Sequence, residues 1–180
     1  MMILSFISFI SCKAQQIMPL NTPFESITAN MYLKDLNNEL SPYVGIYKSS
    51  YQGNEIILHI TKEENKFEKS MKKNYYMDAL IIKYIVKNSS GQILQDTQYL
   101  SNPNIKLYSI GTRPNQNKVV FYYSGTHCNV GWGDIYLSKL NSNQISWEYR
   151  PDSMLTDGCP PGTDKTVYLP VTKDLIFTKQ

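Results

Sequence analysis

The stretch at residues 42–62, PYVGIYKSSYQGNEIILHITK, decides the fold. Tyr43, Gly45, Tyr47, Ser49 and Tyr51 fall on one side of an extended chain, and Val44, Ile46, Lys48 and Ser50 on the other. Gln52-Gly53-Asn54 turns the chain, and Ile56, Leu58 and Ile60 make one face of the return, with His59 on the opposite face. A period of two, rich in β-branched and aromatic residues around a glycine turn, predicts a β-hairpin.

The same pattern recurs downstream. Residues 63–74 read as a polar loop, or as a partial strand carrying Phe67 and Met71. Residues 75–87, YYMDALIIKYIVK, are long enough for a helix, but Ile81, Ile82, Tyr84, Ile85 and Val86 favour a strand. Leu80, Ile82, Tyr84 and Val86 share its core face. Asn88-Ser89-Ser90-Gly91 turns the chain into a more polar strand at 92–100. Strands at 105–111 and 118–124 flank the turn at 113–117, with Val119, Phe121 and Tyr123 on one face. Strands at 134–140 and 144–150 flank Asn141-Ser142-Asn143, and Ile145 and Trp147 share a face there. Residues 166–169 and 174–179 read as the last strands. Neither βαβ alternation nor a ~40-residue repeat is present. The expected fold is all-β: an antiparallel up-and-down meander of about eight to nine strands, closed into a barrel or split into a sandwich.

Upstream, residues 17–29 are irregular and hold Pro19 and Pro23, as a linker or a segment laid over the domain would. Asn30 is placed to cap a short helix with Leu33, Leu36 and Leu40 on one face, stopped by Ser41-Pro42. The chain therefore divides into an address and tether start at 1–16, a linker and short helix at 17–41, and one barrel-like domain at 42–180.

The address is residues 3–10, ILSFISFI, too short for a bilayer-spanning helix of roughly 20 residues but suited to the apolar core of an export signal. Phe9-Ile10-Ser11-Cys12 resembles a bacterial lipobox, in which a small residue precedes the cysteine that becomes lipidated. Phe9 stands where an aliphatic residue is usual, and Met1-Met2 leaves out the basic start. The resemblance implies an acyl chain on Cys12 and a domain held on a membrane surface, in the periplasm, at the outer membrane or outside the cell. Cleavage near Lys13-Ala14-Gln15 would instead release a soluble secreted protein, and a buried N-terminal strand is the plain alternative.

Export agrees with the cysteines. Apart from Cys12 there are Cys128 and Cys159, and an even number in an oxidising compartment is expected to pair. Such a disulfide closes about 30 residues and contributes ~3–4 kcal/mol. Zinc is the rival, because His127 adjoins Cys128, but neither CxxC nor HxxxH spacing supports four ligands, so no metal is expected.

Composition narrows the function classes. Hydrophobic content of 42% and charged content of 18% exclude a disordered chain and a membrane bundle. Tyrosine is over-represented, with 14 copies against 6 Phe and 2 Trp, and suits half-buried pleated surfaces. Net charge is +3 without a continuous basic stripe; Lys69, Lys72 and Lys73 gather at one turn. No nucleic-acid partner is expected. Residues 162–166 lack phosphate-loop spacing, and Asp152, Asp157 and Asp164 lack that of a calcium loop. His127 and Cys128 would make a nucleophilic pair only with a free thiol. No catalytic residue and no cofactor are expected, and the protein is not read as an enzyme.

The order Pro-aromatic-x-Gly-x-aromatic at residues 42–47, ahead of a hairpin, resembles the start of lipocalin-type calycin barrels. In those, a tryptophan stands where this chain has Tyr47, at the closed end beneath an N-terminal helix. More broadly, SCKAQ at 11–15, YLKDLNNEL at 32–40, Tyr43-x-Gly45-x-Tyr47 and the Cys128-to-Cys159 region are similar to a family of secreted proteins of unknown function from Bacteroidota. That likeness implies export and a lipocalin-like fold, and carries over no catalytic residue. Two roles are expected. One is a lipid-anchored barrel binding a small apolar ligand, with Tyr47, Tyr84, Tyr123 and Trp147 lining the interior. The other is an inhibitor- or immunity-type interaction module with a filled core, whose loops at 126–133 and 152–164 meet a protein partner.

Overall fold

The computed structural model describes residues 14–69, 73–99, 105–154 and 158–180; Cys12 and the stretch expected to be an export signal lie outside them. The strands are β1 (Ile17–Pro19), β2 (Tyr32–Lys34), β3 (Gly45–Tyr51), β4 (Asn54–Lys69), β5 (Asn74–Lys87), β6 (Ile93–Asp96), β7 (Leu107–Arg113), β8 (Lys118–Tyr123), β9 (Trp132–Lys139), β10 (Gln144–Ser153) and β11 (Leu175–Lys179). The path β5-β4-β3-β11-β10-β9-β8-β7 is antiparallel throughout and returns to β5 where Ile81 faces Tyr108. This closes an eight-stranded barrel, with β1, β2 and β6 added outside the ring.

The β3–β4 hairpin forms as its sequence demands. Tyr51 pairs with Asn54 across Gln52 (φ 49°) and Gly53 (φ 80°). Positive φ at both central residues is the type I′ condition, whose twist matches the flanking strands. Residues 63–69 are strand rather than loop, because β4 and β5 stay paired out to Lys69 and Asn74. The ladder slips between Glu63 and Lys66, with Asn65 at φ 54°. That bulge turns the far half of the hairpin without ending it.

Three expectations are corrected. The described residues contain no α-helix, so none is long and apolar enough to cross a membrane. The short helix expected before the barrel is replaced by β2 and a 3₁₀ turn at Ser41–Tyr43. The leucine spacing misled: Leu33 and Leu40 are buried, but Leu36 is 57% exposed. Asp35 takes the backbone N–H groups of Glu39 (2.6 Å) and Leu40 (3.2 Å), while Asn38 sits at φ 55°. A side chain that bonds nearby backbone this way competes with a helix. Residues 166–169 are not a strand either; Pro170 has no N–H to give a ladder, and its carbonyl accepts the Trp147 indole N–H at 3.0 Å. The strand expected at 92–100 shortens to β6, after which Thr97 bonds the Tyr84 backbone in both directions.

Inward residues alternate along every barrel strand. Tyr47, Leu58, Tyr84, Val86, Phe121, Tyr123, Ile135, Leu137, Ile145, Trp147 and Phe177 are fully buried. The larger rings meet edge to face, running Tyr84–Tyr123 (6.5 Å between centres), Tyr123–Tyr149 (5.7 Å) and Tyr149–Trp147 (6.4 Å). Eight strands enclose an interior just wide enough for such a filling.

The N-terminal segment packs on the barrel through Leu20, Ile27, Met31 and Leu33, all buried. β1 lies parallel to β2, and β2 parallel to the start of β5 at Tyr76 and Met77. Asp78, 1% exposed, locks the junction. Its carboxylate accepts the Tyr32 hydroxyl (2.5 Å) and the backbone N–H of Asp35 (2.9 Å) and Asn65 (3.0 Å). Burial pushes the Asp78 carboxyl up, but these bonds and the nearby Lys62 charge outweigh it and hold it below its usual range. Lys62 itself pairs with Asp35 at 2.9 Å.

Candidate functional site

The outer edge of β5 is shared in turn by β2, by β7 at the single pair Ile81–Tyr108, and by β6 from Ile85 onward. No other strand pair of the ring meets at one residue pair only. Residues 66–69 of β4 and the start of β7 border this seam. Together they enclose a groove of about 400 Å³.

Its floor is apolar. Ile81 and Ile82 come from β5, Leu107 from β7 and Ile105 from the segment just before β7. Phe67 of β4, 51% exposed, and Tyr108 form the walls. Four lysines contribute to the lining: Lys66 and Lys69 from β4, Lys83 from β5 and Lys106 beside β7. Glu68 is the single acid among them.

Lys66 is the half-buried member. Its ammonium stands 4.0 Å from the centre of the Tyr108 ring and pairs with Glu68. Burial pushes Lys66 below its ordinary value; Glu63 opposes this and repulsion from Lys106 adds to it. Such an ammonium gains from any further anion that displaces its remaining water. A groove with apolar floor and cationic rim can hold a molecule with an acidic head and an apolar body.

The four residues expected in the barrel interior are found there, away from this groove. Tyr47, Tyr84, Tyr123 and Trp147 are inside the barrel, each 0% exposed, and none of them lines the groove. The structure brings Tyr84 and Tyr123 together, with hydroxyls 3.2 Å apart. Tyr84 donates to Gln95 Oε1 (2.7 Å), and Gln95 Nε2 donates to Thr126 Oγ1 (3.0 Å). Burial holds both tyrosines far above their ordinary value, so they are neutral throughout. Trp147 is anchored separately on Pro170, and the Tyr47 hydroxyl is buried without a partner.

Cys128 and Cys159 form the expected disulfide, with Cα atoms 5.8 Å apart, joining the loop after β8 to the loop after β10. His127 and Asp164 border a second depression of about 340 Å³ together with Ile93 and Tyr99. His59 pairs across the hairpin with Ile46, on the outer face. Among the described residues no cluster of three or more His, Cys, Asp or Glu side chains is placed to hold a metal ion. Asp157 lies outside the described residues.

Lys66, Phe67, Lys106 and Tyr108 were not singled out as site residues by the sequence. The available signal was Phe67 standing amid charged residues in a segment of β-like alternation.

The family model matching residues 1–180 is described as a family of unknown function (DUF6705), and the chain belongs to that family. No curated protein and no solved structure matches it.

Proposed function

We propose that this protein is an exported, membrane-anchored binding protein that takes an amphipathic anion, such as a medium-chain acyl carboxylate, into the seam groove. The observation that carries this reading is the groove itself: about 400 Å³, floored by Ile81, Ile82, Ile105 and Leu107 and rimmed by lysines. Ligand pockets commonly occupy ~300–1,000 Å³. The filled barrel supports a surface groove over an interior cavity, because the inward rings already touch one another.

Binding needs no reaction. Each methylene removed from water contributes ~0.8 kcal/mol. The carboxylate would meet Lys66 and Lys106, whose mutual repulsion it relieves. Anchoring through Cys12 would keep the groove near a membrane, a natural source of such molecules. Radioactive fatty acid should label the wild type but not Cys12→Ser.

Titrating the full chain with dodecanoate, dodecanol and dodecylamine tests the ligand class. Dodecanoate should saturate the protein, dodecanol should bind at least about tenfold more weakly, and dodecylamine more weakly still. Equal binding of all three, or no saturable binding, would end the reading.

A second reading has its own observation. The Cys128–Cys159 bond joins two loops, and Trp132 (39% exposed) and Met154 (51%) stand beside them on β9 and just past β10. That surface suits a protein partner. Crosslinking in the native envelope, lost on substituting Trp132 and Met154, would favour it.

A further inference from the structure

A further pocket, of about 290 Å³, lies at the opposite end of β7, where the 3₁₀ turn at Ser41–Tyr43 packs over the β7–β8 turn and the end of β9. It is independent of the seam groove and shares no lining residue with it. Its wall is held by cross-bonds: Tyr43 donates its hydroxyl proton to Asn117 O (3.3 Å), Asn117 Nδ2 donates to Lys139 O (2.9 Å), and the Lys139 ammonium donates to Pro42 O (2.5 Å), a neutral acceptor that leaves its charge uncompensated.

Two observations point to a guest. The described residues hold three buried side-chain polar atoms without a hydrogen-bond partner, and two of them, Glu39 Oε2 and Thr112 Oγ1, belong to residues that border this pocket, buried just behind its surface. Thr112 is 8% exposed. Leaving such groups unpaired is costly, and three elements converge here to do so. The second observation is charge. Glu39 and Lys139 both line the pocket, yet neither forms an ion pair with the other or with any described residue. Lys118, also in the wall, already pairs with Glu148 at 3.4 Å, a carboxylate it shares with Arg150. Lys139 is held below its ordinary value, first by burial and then by repulsion from Lys179, so it gains from an added anion.

An unsatisfied carboxylate oxygen and hydroxyl on one side, and an ammonium without a counter-ion on the other, match a molecule carrying both charges. We infer that this pocket binds a small zwitterion of the α-amino-acid kind. Its ammonium would donate to Glu39 Oε2 and Thr112 Oγ1 as the carboxylate turns to meet it. Its carboxylate would face Lys139, and an apolar side chain would rest on Pro42, Tyr43 and Val119.

The test compares L-leucine with L-leucinamide, which lacks the anion, and N-acetyl-L-leucine, which lacks the cation, by NMR titration of the full chain. Free leucine should saturate, with each blocked form at least about tenfold weaker. Glu39→Gln should bring leucine down to the affinity of the acetylated form, and Lys139→Met to that of the amide. Lys66→Ala, in the seam groove, should leave leucine binding unchanged. The comparison on unmutated protein decides the matter even where a variant fails to fold. No saturable binding of free leucine or L-phenylalanine, or equal binding of all three leucine forms, would overturn the inference.

Discussion

The barrel interior and the seam groove are built from alternate residues of one strand. On β5, Tyr84 and Val86 face the core, Ile81 and Lys83 line the groove beside them, and the buried Ile82 borders both. The interior is neutral and aromatic: rings fit edge to face, and the Tyr84, Tyr123 and Trp147 polar tips find partners. The groove is charged and half-wet, and the Lys66 ammonium is removed from water against a ring and Glu68. The contrast separates two uses of the same amino acids. Tyrosine inside the barrel holds the fold; Tyr108 at the seam offers a face to a cation, and through it to a ligand.

This contrast sets the ranking of substitutions. The largest effect is expected inside. Trp147→Ala should cost ~3–5 kcal/mol in urea unfolding, since it empties a filled core and leaves the Pro170 carbonyl unpaired. A loss under about 1 kcal/mol would mean the interior is not close-packed.

Reducing Cys128–Cys159, which spans 31 residues, should cost ~3–4 kcal/mol by freeing the unfolded chain. The barrel strands should keep their far-ultraviolet circular dichroism under native conditions, because neither cysteine lies in one.

Asp78→Asn should cost ~2–4 kcal/mol at pH 7 by unpicking the bonds to Tyr32, Asp35 and Asn65. The sign with pH follows from the depressed carboxyl. Its contribution is present above the unfolded value of about 3.9 and is lost as pH falls through the lower folded value. The gap between wild type and Asp78→Asn should therefore close towards acid; a constant gap from pH 7 to 3 would deny the charge its role.

The smallest change in stability belongs to the groove. Lys66→Ala should shift unfolding by under about 1 kcal/mol, because burial disfavours the Lys66 ammonium and offsets its pairing with Glu68. Dodecanoate affinity should nevertheless drop roughly tenfold, about 1.4 kcal/mol. A variant that loses stability but not affinity would reverse the assignment of the two regions.

How far these features could be read from residues alone follows from the distances that generate them. The β3–β4 hairpin is local: Gly53 and alternating apolar residues specify it within a few positions. The pairing of Cys128 with Cys159 was legible from parity, since they are the two cysteines that remain beside Cys12. Leu33, Leu36 and Leu40 imitate a helix, but the Asp35 carboxylate captures the backbone first, and β5 offers β2 an edge that no local pattern announces. The groove was the least legible part. Lys66, Lys83 and Lys106 come from different segments, and they converge only because the barrel closes through a single residue pair. The inward rings were visible because alternation is local; whether they line a cavity or fill it depends on how closely eight strands draw together.

Methyl NMR of isoleucine-labelled protein during a dodecanoate titration addresses the placement of the ligand most directly. The expected result is saturable shifts at Ile81 and Ile105, with Ile56 and Ile145 inside the barrel unmoved. Shifts centred on Ile56 and Ile145, with Ile81 and Ile105 silent, would place the ligand among Tyr47, Tyr84, Tyr123 and Trp147 and contradict the seam.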